Sequence, residues 1–107
     1  MTQAIVTLCT CPDKNAAEKI ARLLVESKLA ACVNILPNVL SIYSWDGKVE
    51  SAEEHLLVIK SSAQRYQDIE TAIRSHHPYE LPEIIAVPVE LGSLEYINWI
   101  NTCHDSK

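Results

Sequence analysis

Three runs in this chain are apolar on both of their faces, and no other feature limits its fold so tightly. Successive side chains of a β-strand point to opposite sides. Residues 4–10 (AIVTLCT) therefore give Ala4, Val6 and Leu8 to one face and Ile5, Thr7 and Cys9 to the other. Leu56 and Val58 oppose Leu57 and Ile59 in the same way, and Ile84 and Ala86 oppose Ile85, Val87 and Val89. A sheet with one wet face alternates apolar and polar residues, whereas near-continuous apolar strands belong to a sheet covered on both sides.

The segments between these runs supply the order of elements. Pro12 and Asp13 stop the first strand, and Asp13 suits an N-cap because its carboxylate accepts from the next free amides. Ala17, Ile20, Ala21, Leu24 and Leu29 recur at helical spacing, opposite Glu18, Lys19, Arg22 and Glu26, so a helix is expected from about Lys14 to Ser27. Residues 31–44 read as a long strand with a bulge at Pro37-Asn38, since proline removes a ladder donor. Asp46-Gly47 carries the hairpin signal, because both residues tolerate the positive φ of a type I′ turn. The return strand is expected from about Val49 to Ser61. Ser62 is the expected cap of a second helix, whose Tyr66, Ile69, Ala72 and Ile73 share a face and which ends at His76-His77-Pro78. A strand over 83–89 and a terminal helix opened by Gly92-Ser93 complete the chain. The order predicts an α+β fold: a ferredoxin-like split βαββαβ sandwich with a long hairpin between its second and third strands and a C-terminal helix.

Two helices on one face and one short helix on the other leave much of such a sheet bare. The long hairpin also offers free backbone edges to a neighbour. A monomer rarely exposes more than a few hundred Å² of contiguous apolar surface, so association is expected. At 107 residues the chain fits one domain, 1–107, of modest core.

A formal net charge of −5 argues against nucleic acid or an anionic membrane as partner, for both need clustered Lys and Arg. No run approaches the ~20 apolar residues of a membrane span, and Met1–Thr10 lacks the basic start of a signal peptide, so a cytoplasmic protein with reduced thiols is expected. With two glycines, Gly47 and Gly92, the chain has no glycine-rich phosphate loop.

His76-His77-Pro78-Tyr79 is the most suggestive local pattern. Two imidazoles at a helix end, with a thiolate such as Cys9, suit copper or zinc. Against this, histidine near a helix C-terminus is favoured by the macrodipole, and adjacent helical residues point about 100° apart. Cys9 near the end of its strand is equally read as a small core hydrophobe. Glu50, Glu53 and Glu54 are read as a solvated strand face. Trp45 at the hairpin tip is expected to pack across a subunit boundary.

Three motifs in order carry a resemblance over nearly the whole chain: Leu29-Ala-Ala-Cys-Val-Asn-Ile-Leu-Pro37, Ser41-Ile-Tyr-Ser-Trp-Asp-Gly-Lys48 and Ser75-His-His-Pro-Tyr-Glu-Leu-Pro-Glu83. The chain resembles the divalent-cation tolerance protein family, CutA. The resemblance implies a cytoplasmic homotrimer with a role in tolerance to copper and other divalent metals, and no enzyme activity. It also implies copper (Cu2+) contact through Cys9, His76 and His77, with Glu83 a weaker neighbour. Cys11 stands where relatives often carry a small residue and adds a competing thiol. Two other readings compete: a signalling or scaffold trimer that takes a small ligand or a protein partner between subunits, and an enzyme with Cys9 as nucleophile or Glu83 as base.

Overall fold

The computed structural model describes residues 3–103. Strand β1 (Ala4–Cys11) leads into helix α1 (Lys14–Glu26), where the Asp13 carboxylate accepts from the Ala16 amide at 2.8 Å. Strands β2 (Cys32–Trp45) and β3 (Lys48–Ser62) form the long hairpin. Its two-residue turn places Asp46 at φ 52° and Gly47 at φ 76°, both positive as a type I′ turn requires. The bulge lies where proline predicted it, in a register shift between Leu36 and Val39 that leaves Asn38 at φ 61°. A single 3₁₀ turn (Ala63–Arg65) precedes helix α2 (Tyr66–His76). The Ser62 side chain makes no capping bond; that residue is buried at the end of β3 and the helix starts four residues later. Strand β4 (Ile85–Pro88) and helix α3 (Leu94–Thr102) follow, the latter capped by Ser93.

The four strands form one antiparallel sheet in the order β2-β3-β1-β4. This is the ferredoxin-like arrangement expected from the order of elements. β4 is shorter than its apolar run, because pairing with β1 stops at Leu8 opposite Ile85 and the chain before it turns away.

One face of the sheet holds the core. Cys9 and Cys11 of β1 and Leu57 and Ile59 of β3 pack on Ala17, Ile20 and Leu24 of α1 and Ile69 and Ile73 of α2, all fully buried. Helix α3 packs on β3 and β1, with Tyr96 reaching the Cys32 thiol and Ile100 buried outside the main cluster. Beyond the bulge, β2 and β3 pair only with each other, forming an arm in a molecule whose long axis is 44 Å, arm included. Apolar side chains there stay exposed: Leu40 at 63%, Ile42 at 68% and Val49 at 80%.

Candidate metal centre and the cleft beside it

Period-two geometry sets Cys9 and Cys11 side by side on the core face of β1. The Cys9 thiol donates a long hydrogen bond to the Thr10 carbonyl oxygen at 3.9 Å, and the Cys11 sulfur lies within 4.8 Å of the Cys9 sulfur. The neighbouring Cys11 thiol, followed by burial, holds the Cys9 proton far above the ordinary thiol range, while Cys9 in turn lowers Cys11 against its own burial.

His77 arrives from the other side. Pro78 ends α2, His77 swings to φ −88°, ψ 136°, and its ring falls into the core with 8% exposure. Nε2 lies 2.7 Å from the Thr10 carbonyl oxygen, which only accepts, so Nε2 carries the proton. Nδ1 accepts from the Tyr79 amide at 3.1 Å. These partners assign a neutral imidazole of one tautomer. The Cys9 and Cys11 sulfurs and a His77 ring nitrogen all lie within 4.8 Å of one another. Two thiols and an imidazole are the soft, borderline donors that suit copper or zinc. Placing an ion there requires His77 to give up one of its two bonds.

His76 stands outside this group. Its ring is exposed and Nδ1–H donates back to the Ala72 carbonyl at 2.9 Å. The structure thus brings Cys9 and His77 together, adds Cys11, and leaves His76 turned to the helix.

Tyr79 links this cluster to a second feature. Its ring lies against His77, centroids 4.8 Å apart, and its hydroxyl donates to Glu54 Oε2 at 2.8 Å. Burial, then the Glu54 carboxylate, push the Tyr79 hydroxyl above its usual value of 10.0. Glu54 is not the solvated strand residue expected; it is 7% exposed, whereas Glu50 and Glu53 do face water. Glu54 and Tyr79 line a cleft of about 810 Å³ between the hairpin arm and the loop after α2, with Tyr43, Trp45 and Glu83 among its walls.

The family model described as CutA1 divalent ion tolerance protein matches residues 5–103. The chain belongs to this family. Human "Protein CutA" is 44% identical over 97 residues, which cover 91% of this chain and 54% of the human protein; the chain thus spans about half the length of that relative. The Yersinia pestis divalent-cation tolerance protein CutA is 43% identical over 100 residues, covering 94% of this chain and 84% of that protein. Among solved structures, CutA from Xylella fastidiosa superposes with a TM-score of 0.92 at 46% identity, covering 95% of this chain and 98% of that one. CutA1 from Oryza sativa gives 0.91 at 38% identity, covering 94% and 93%. As a CutA1-family chain it shares their α+β fold of four antiparallel strands and three helices.

Proposed function

We propose that this CutA-family protein is a non-enzymatic, cytoplasmic homotrimer that contributes to divalent-metal tolerance by binding copper through cysteine and histidine. The convergence of the Cys9, Cys11 and His77 donor atoms within 4.8 Å, in a buried setting, carries the metal reading. The sequence pattern named Cys9, His76 and His77; Cys9 and His77 belong to this group, and Cys11 is its third donor. His76 joins only by leaving the Ala72 carbonyl. When copper is bound, it supplies a charge that draws protons from both thiols; the protein's part is to present the sulfurs from one strand and the imidazole from a helix end.

The same features argue against a Cys9 nucleophile. A fully buried thiol whose pKa lies well above the ordinary thiol range is seldom the thiolate, the species that attacks. The exposed apolar side chains of the arm and of β4 support association. The reduced thiols of Cys9, Cys11 and Cys32 fit a reducing compartment.

Calorimetric titration with Cu(II) and Cu(I) tests the metal reading. Cys9→Ala, Cys11→Ala and His77→Ala should each weaken binding about tenfold or more, with fewer protons released per ion in the cysteine variants, and His76→Ala should have the smallest effect. Unchanged affinity in both Cys9→Ala and His77→Ala defeats the site.

A further inference from the structure

The cleft beside the thiol cluster has a chemistry of its own. Its walls include three aromatic rings (Tyr43, Trp45 and Tyr79) and three carboxylates (Glu54, Glu80 and Glu83), and among the described residues no lysine, arginine or histidine lines it. Glu54 is the unusual member. It is 7% exposed, its hydrogen bond comes from the neutral Tyr79 hydroxyl, and within one subunit no cationic side chain among the described residues forms an ion pair with it. Removing a carboxylate from water without a counter-charge is costly, and proteins normally supply the opposite charge at such a place.

Two kinds of positive charge could meet that need. A bare metal ion requires several donors converging on one point. Among the described residues, the donor group close enough is Cys9, Cys11 and His77, and no cleft carboxylate belongs to it. An organic cation requires instead a spread of carboxylates and aromatic faces in a cavity of molecular size. Aromatic rings attract ammonium groups through their quadrupoles, and 810 Å³ lies within the range of small-molecule sites.

We propose that this cleft binds a small organic cation, an amine or quaternary ammonium whose charge rests on the Glu54 carboxylate among the rings of Tyr43, Trp45 and Tyr79. Tyr79 orients Glu54 through its hydroxyl while its own amide holds His77. The occupied cleft thus lies one residue from the proposed metal ligand, yet the two sites draw on different donors.

Choline and its uncharged twin 3,3-dimethylbutan-1-ol are the probes, titrated into the full chain while the Trp45 indole signal is followed by NMR. Choline should shift that signal and bind about tenfold more tightly than the alcohol. Glu54→Gln should remove most of that difference, because a quaternary ammonium has no N–H and is held by Coulomb attraction to the carboxylate, which a neutral amide does not supply. Should Glu54→Gln fail to fold, Glu83→Gln and Trp45→Leu must each weaken choline binding. Cys9→Ala removes a proposed copper ligand and should leave the choline response in place, so the two proposals fail separately. Equal affinity for choline and the alcohol overturns the inference. So does an unmoved Trp45 signal, the result expected if a second copy of the chain fills the cleft, or unchanged choline affinity in folded Glu54→Gln.

Discussion

Tyr79 does three things at once: its amide fixes the His77 tautomer, its ring packs on that imidazole, and its hydroxyl satisfies Glu54. Tyr79→Phe keeps the first two and deletes the third. It should cost about 1–3 kcal/mol in denaturant unfolding, the usual range when a buried polar group loses its partner. The same substitution should alter the alkaline limb of stability. Because the folded hydroxyl titrates above 10.0, the folded chain keeps a proton that the unfolded chain releases. Its contribution is complete below pH 10 and is lost as pH rises through the folded value, so Tyr79→Phe should flatten the decline above pH 10. The thiols make a separate case. Cys9 and Cys11 are fully buried, so both should stay unmodified by iodoacetamide at pH 7 and both should react in denaturant, as mass spectrometry would record. Rapid alkylation of Cys9 in the folded protein would instead favour the nucleophile reading.

At the level of elements, local chemistry was the most legible part. Asp13 caps α1, Pro37-Asn38 carries the bulge, and Asp46-Gly47 makes the turn, each through a preference written in one or two residues. Gly47 has open space around it, so a methyl group there meets no neighbour and acts only through φ 76°. Gly47→Ala should therefore destabilise by about 1–2 kcal/mol, the steric cost of the left-handed region, without lowering copper affinity. The site was legible in part. Cys9 and His77 lie together as their motifs suggest, and Cys11, expected only as a competing thiol, joins them because period two puts it beside Cys9. The motif names the His76-His77 pair, and the divergence of adjacent helical side chains decides between them: only His77, at the helix end, turns inward. Glu54 was misread because its cover comes from Tyr79, 25 residues away. Strand ends were blurred for the same reason: β4 stops where β1 ceases to pair, which no feature of residues 83–89 records.

The whole molecule returns to the doubly apolar strands. Two helices and the core cluster satisfy one face of the sheet, and α3 covers part of the other. Leu36, Leu40, Ile42, Trp45, Val49, Ile85 and Val87 remain between 44% and 80% exposed, along the arm and the outer strand. Burying such surface contributes roughly 25 cal/mol per Å², so even a few hundred Å² per subunit favours association strongly. Sedimentation equilibrium at micromolar concentration measures this directly. A particle of three times the 12.0 kDa chain mass is expected, and a stable, folded particle of 12.0 kDa rules out association through these surfaces.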